Sequence, residues 1–172
     1  NFLRDMADQH GSGQLLINDT SRGRLTPTSI AGIIEVEQPD LVIIDYLTLL
    51  GGGGDDWRSS ANLVGDVQSL GHTYKIPVVA LAQINRSGAG GKEPPGTESL
   101  YQSDAIGHDA DLVVTMQQRS QHVMMHKIAK FRHGPDGSKW YSEFDPAQCF
   151  FEEVSGDEAE MIREEDMLDE QD

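Results

Sequence analysis

Residues 41–54 read LVIIDYLTLLGGGG, and the reading of this stretch decides the fold. Four consecutive apolar residues, Leu41 to Ile44, lead into Asp45, and glycines follow closely. A short unbroken apolar run suits a strand buried on both faces, as in a parallel sheet flanked by helices. In such sheets ligands gather in the crevice beyond the carboxyl ends of the strands. A carboxylate there is well placed to hold a Mg²⁺ that bridges nucleotide phosphates. An Asp capping the turn that leaves the strand accounts for the same residues equally well.

The flanking segments extend the pattern. Thr26-Pro27 opens a helix, with Thr26 as N-cap, Pro27 in the first helical position and Ile30, Ile33 and Ile34 as its apolar stripe. Pro39 closes that helix. Ser59 or Ser60 can cap a second helix, on which Leu63, Val67, Leu70 and Tyr74 share a face. Residues 76–83, IPVVALAQ, form another buried strand with the polar Gln83 at its end, and 14–18, QLLIN, read as a short strand. The run RSGAGGKEPPGT that follows has the glycine and proline content of a loop. Residues 99–110 read as a short helix and turn, and 111–116 as a third apolar strand. Segments 121–130 and 138–144 are joined by the turn RHGPDG and read as a hairpin extending one sheet edge. Helix alternating with buried strand predicts an α/β fold with a mostly parallel sheet.

Composition narrows the classes. A chain of 172 residues is long enough for one domain with a proper core. No stretch of about 18 apolar residues occurs, so no membrane span is expected. The N-terminus, NFLRDMADQHGSG, carries two aspartates without an apolar segment, unlike a signal peptide. It does not start with Met, so the chain reads as the continuation of something longer. The single cysteine, Cys149, excludes an internal disulfide and fits a reducing compartment. The net charge is −16, of which −10 belongs to residues 152–172, with eleven acidic residues and only Arg163 against them. The expected division is therefore a core over 1–151 and an acidic tail, disordered or partly helical, over 152–172. An acidic core excludes a broad basic face for nucleic acid and leaves only local contacts, as in a loop lining a channel.

Strand ends supply the candidate chemistry. If the first two strands are parallel, Asp45 and Gln83 leave the sheet at one carboxyl edge. A metal-holding carboxylate and an amide that feels the γ-phosphate would then point into one crevice. Gln83 as a polar terminus bonded to the backbone is the plainer alternative. Asp109 and Asp111 precede their strand, so they sit at the opposite edge if that strand runs the same way, and they read as structural. His108, His122 and His126 lack the third ligand that a zinc site needs, and they too read as structural.

LVIIDYLTLL, ALAQINRS, AIGHDADLVV and IAKFRHGPDG, in that order and spacing, resemble the RecA-type ATPase domain of DnaB-like replicative helicases, particularly the phage-type members, from about Leu15 to Phe144. The resemblance implies a RecA-like P-loop ATPase core and an ATP- and Mg²⁺-dependent helicase. It further implies a ring-forming homo-oligomer, expected to be a hexamer, that moves on single-stranded DNA in a bacterial or phage-infected cytoplasm. A primase or helicase loader is the implied protein partner. Asp45 matches the Walker B aspartate, which positions Mg²⁺ through water, and Gln83 the sensor glutamine. Lys130 and Arg132 match the paired basic residues that reach the nucleotide of the neighbouring subunit. Positive charge delivered to the transferring phosphoryl group by an arginine finger is worth about 10³–10⁵ in rate.

Departures from the family pattern are equally plain. GxxxxGK[ST] does not occur among the 172 residues, and Gly90-Gly91-Lys92 is a decoy followed by Glu93. The phosphate loop is expected upstream of Asn1, so the chain is not expected to hydrolyse ATP unaided. Where many cellular members carry Arg-Glu-Ser-Gly, this chain has Tyr101-Gln102-Ser103-Asp104. DNA contacts are therefore expected from Tyr101, Gln102 and Ser103, through hydroxyl, amide or stacking, and from Arg86 and Lys92 on the loop. Two other classes remain at this stage: a RecA- or KaiC-type recombination or regulatory ATPase, and a non-catalytic fragment that docks on a helicase ring.

Overall fold

The computed structural model describes residues 13–19, 23–51, 57–83, 108–155 and 161–162. Its first unit is built on two helices and a parallel strand pair. Helix α1 spans Pro27–Glu37, and its start follows from the local sequence. Thr26 is extended, its Oγ1 accepts from the Ser29 N–H at 3.1 Å, and Ser29 Oγ accepts from the Thr26 N–H at 2.8 Å. Two N–H groups that the first turn would leave unpaired are thus satisfied. At the other end Gln38 adopts a left-handed conformation (φ 49°), and its N–H donates to Ile34 O at 2.9 Å. Pro39 disfavours the helical region for the residue before it, so the helix stops there.

Strand β1 (Val42–Ile44) pairs in parallel with β2 (Val78–Ala80), with Val42 opposite Val78 and Ile44 opposite Ala80. Helix α2 (Trp57–Tyr74) runs between them and supplies the crossover that parallel pairing requires. A 3₁₀ turn, Leu47–Leu49, leaves β1. Ile30 and Ile34 of α1, Ile44, Leu47 and Leu50, and Leu63, Val67 and Leu70 of α2 close into one buried cluster. Ile30 and Ile34 of the expected α1 stripe and Leu63, Val67, Leu70 and Tyr74 of the α2 stripe therefore pack, while Ile33 is only half-buried.

The second unit is a four-stranded antiparallel meander, β3 (Leu112–Gln118), β4 (Val123–Phe131), β5 (Lys139–Asp145) and β6 (Phe150–Glu153), in that order. Its core is smaller: Met125, Tyr141 and Val154, with Val123 and Ile162 against them. β3 meets β4 with an irregularity between Val113 and Val114, so that Ala129 has no partner opposite it.

Several expectations change. The sheet is not mostly parallel: among the described residues the parallel pair and the antiparallel meander are separate sheets. Connections as short as 119–122, 132–138 and 146–149 can join only antiparallel neighbours. The hairpin accordingly extends β3 and not the edge of the parallel pair, and the opposite-edge placement of Asp109 and Asp111 does not arise. Residues 14–18 form no strand; 13–19 are irregular, with Leu15, Leu16 and Ile17 exposed, because no described strand pairs with them. The parallel strands are not buried on both faces. Ile44 is 5% exposed but its neighbour Ile43 is 62% exposed, since both described helices pack on one side. Separately, β6 runs to Glu153 and Val154 is buried, so ordered packing continues past residue 151.

Candidate functional site

Parallel pairing of β1 and β2 puts Asp45 and Gln83 beyond the same, carboxyl, edge of the sheet. Two further rungs continue the ladder past the strands: the Leu81 N–H donates to Ile44 O at 2.9 Å, and the Leu47 N–H donates to Leu81 O at 2.8 Å. The loops that carry the two side chains are thereby tied to each other. Both side chains are exposed, and the peptide between Asp45 and Tyr46 is cis. The alternation that buries Ile44 turns Asp45 outward, so its carboxylate is available to solvent or to a ligand.

A lone carboxylate suits Mg²⁺ only in company. Mg²⁺ keeps several waters and is usually held by one or two carboxylates plus substrate phosphates. Among the described residues no group of three or more His, Cys, Asp or Glu side chains could hold a metal by itself. Asp45 fits such an ion as one ligand beside a nucleotide, not as part of a protein cage.

Lys130 and Arg132 lie at the far end of β4 and in the turn after it, on the other sheet. The bulge at Ala129 shifts the register just before them, a device that re-aims side chains near functional sites. Both cations reach back to the turn that precedes β3. Lys130 Nζ donates to His108 O at 2.8 Å, and Arg132 Nη2 donates to His108 O at 3.2 Å and to Asp109 O at 3.4 Å. Arg132 Nη1 pairs with Asp111 Oδ1 at 2.6 Å. Gln68 Nε2 on α2 donates to the same Asp109 O at 2.6 Å. Sequence reasoning placed Asp111 among structural residues and did not find its contact with Arg132. The signal was present in the register, because Leu112 faces Phe131 and the residues just outside that pair, Asp111 and Arg132, must come together. Arg86, Lys92, Tyr101, Gln102 and Ser103 lie outside the described residues.

Of the three histidines, His126 is buried, whereas His108 and His122 are exposed. His126 is 3% exposed, its Nε2 lies 2.7 Å from Ser142 Oγ, and its ring stacks on Trp140 at 4.9 Å with Phe151 edge-on. Burial pushes its pKa below the ordinary value, with Glu153 opposing weakly. His108 Nδ1 approaches Asp109 Oδ1 at 3.0 Å, and His122 Nδ1 lies 3.4 Å from Phe144 O.

The family model described as "DnaB-like helicase C terminal domain" matches residues 3–152. The chain belongs to that family. The matching family model and the curated relatives are helicases, which favours the helicase reading over the two alternatives. The chain is 26% identical over 133 residues to the replicative DNA helicase DnaB of Geobacillus stearothermophilus, covering 66% of this chain and 29% of the relative. To the DnaB of Treponema pallidum (strain Nichols) it is 29% identical over 106 residues, covering 59% and 24%. The chain thus spans less than a third of the length of these curated relatives. A solved ATPase domain superposes with a TM-score of 0.68 at 21% identity, covering 76% of this chain and 52% of that one. A DnaB-like replicative helicase, solved in a study of its interactions with primase, gives 0.62 at 21%, covering 71% and 34%. Their mixed α/β fold is the fold of this chain. No helix among the described residues is long and apolar enough to cross a membrane.

Proposed function

We propose that this chain is part of an ATP-dependent replicative DNA helicase, a homo-oligomeric ring, hexameric in this reading, that unwinds duplex DNA by translocating on one strand in the cytoplasm of a bacterial or phage-infected cell. The observation that carries the reading is the shared carboxyl edge of β1 and β2, from which Asp45 and Gln83 both emerge, in a chain of the DnaB-like family. Mg²⁺ bound with ATP would neutralise charge on the transferring phosphoryl group. Asp45 would help hold that ion through water, and Gln83 would offer its amide to the terminal phosphate. Lys130 and Arg132 serve the nucleotide of the adjacent subunit, which accords with their standing on a different sheet from Asp45. A planar guanidinium spans two phosphate oxygens, which suits Arg132 to the larger share of that task.

Arg86, Lys92, Tyr101, Gln102 and Ser103 contact single-stranded DNA in this reading, with affinity that falls as salt rises because counterions are released. A primase or a helicase loader is the protein partner. Residues 1–151 form the ATPase core in this reading and 152–172 an acidic tail, whose first residues, to Val154, still pack on the core. The 172 residues contain no GxxxxGK[ST], so the purified chain alone does not turn ATP over.

The test is Arg132→Ala in a nucleotide-hydrolysing ring that contains this chain. Hydrolysis should fall by about 10³-fold or more while ATP binding persists. Unchanged hydrolysis would remove Arg132 from the site.

A further inference from the structure

Arg132 does not point freely into solvent. It faces three oxygens of one turn: Asp111 Oδ1 at 2.6 Å, His108 O at 3.2 Å and Asp109 O at 3.4 Å. Lys130 shares the His108 carbonyl at 2.8 Å. One carboxylate oxygen and two carbonyl oxygens converging on two cations reproduce the acceptor pattern that a phosphate chain would present.

We propose that Asp111, with the carbonyls of His108 and Asp109, is a positioning seat that holds Arg132 and Lys130 inside their own chain until a polyphosphate displaces it. The inference rests on the reading that these two cations serve a nucleotide. Three features make the contact suited to exchange. The seat is fixed by two further hydrogen bonds, Gln68 Nε2 donating to Asp109 O and the Arg132 N–H donating to Asp111 O at 2.8 Å. That backbone bond does not involve the guanidinium, so the side chain can swing away without opening the β3–β4 ladder. The ion pair itself is exposed, 40% at Arg132 and 51% at Asp111, and pairs of this kind are easily broken. A phosphate chain carries more charge than the single carboxylate it replaces and can take both prongs of the guanidinium. The seat therefore keeps the cations ordered and close to their working position, and competes only weakly once a polyphosphate arrives.

The experiment uses the 172-residue chain and inorganic tripolyphosphate as probe, with affinity read by calorimetry and the Arg132 guanidinium followed by nitrogen-15 NMR. Asp111→Asn removes the competing charge and should tighten tripolyphosphate binding roughly two- to fivefold, the range expected from breaking one exposed pair. Asp136→Asn makes the same charge change in the β4–β5 turn and controls for the chain's overall charge; its gain should be smaller. Adding Arg132→Ala to Asp111→Asn should cancel the gain. Equal gains for the Asn variants at 111 and 136, or no gain at 111, would overturn the seat. Should Asp111→Asn fail to fold, Asp111→Ser carries the same prediction. Arg132→Ala in the wild-type background separates the two ideas. If it leaves tripolyphosphate affinity unchanged, the phosphate role of Arg132 fails and the seat with it. If it weakens binding while Asp111→Asn adds nothing, the seat alone fails.

Discussion

Ile43 and Ile44 are adjacent residues of one strand, and replacing each with Ala should give very different losses of stability. Ile44 is 5% exposed within the cluster formed by Ile30, Ile34, Leu47, Leu63, Val67 and Leu70. Removing its three outer carbons leaves a cavity walled by two helices, and truncations of this kind cost about 2–5 kcal/mol. Ile43 is 62% exposed, so only some two-fifths of its side chain has left water. Complete burial of an Ile is worth about 1.5–3 kcal/mol, which puts the loss at Ile43 below about 1 kcal/mol. The assay is urea unfolding of the 172-residue chain followed by far-ultraviolet circular dichroism, comparing midpoints at constant slope. Ile44→Val, expected to cost about 0.5–1.5 kcal/mol, keeps the comparison measurable if the Ala variant is unfolded at the start. Equal losses would mean that both faces of β1 are covered. A larger loss at Ile43 would mean that the strand is turned over, since a one-residue slip exchanges the faces. Asp45 would then point inward, and the site would have to be redrawn.

Other substitutions and pH changes have equally definite outcomes. Thr26→Ala removes half of the reciprocal cap on α1 and should cost about 1 kcal/mol, measurable as a lower urea midpoint, whereas Thr26→Ser should be nearly silent. His126 has its folded pKa lowered by burial, so the unfolded chain binds the proton more readily and stability falls as pH drops below about 6.5. Stability should be recovered above that value, and His126→Gln should flatten the slope in this window. Asp145 is also held below its ordinary value, by the Gln148 amide and the Ala147 N–H. Its stabilising share is present above about 3.9 and is lost as pH falls further, so the two groups act in separate windows. A Cβ added at Gly134 would collide with the Phe131 ring. Gly134→Ala should therefore displace the turn that carries Arg132, visible as shifted amide resonances over 131–134.

Much of the first unit was legible because its signals are local. A Thr-Pro start, a left-handed stop before Pro39 and apolar residues at helical spacing act within a few residues, and α1 and the packing face of α2 follow them. Strand Val42–Ile44 was equally plain, but its burial was not. Alternation records what a residue needs, whereas exposure records what else is present to cover it, and the described residues cover only the Ile44 side of β1. The parallel sheet was over-extended for a related reason: an apolar run such as Leu112–Met116 does not state which partner it takes. The connection lengths did state it, and they favour the meander. At the site, Asp45 and Gln83 could be assigned to one edge as soon as parallel pairing was assumed. Asp111 was missed because its role depends on the β3–β4 register, which joins residues about twenty positions apart. β6 was obscured by the acidic composition that begins within it, although Phe150 and Phe151 precede the change.

The central claim is that the carboxyl edge of β1 and β2 receives a metal-bound nucleotide, and paramagnetic NMR tests it most directly. Mn²⁺ with ATP is titrated into the isotopically labelled 172-residue chain, and line broadening is mapped onto the sequence. Asp45, Tyr46 and Gln83 should broaden first, Asp45→Asn should abolish the effect, and Mn²⁺ without ATP should produce far less of it. Broadening centred on the acidic residues after 152, or undiminished at β1 and β2 in Asp45→Asn, would contradict the claim.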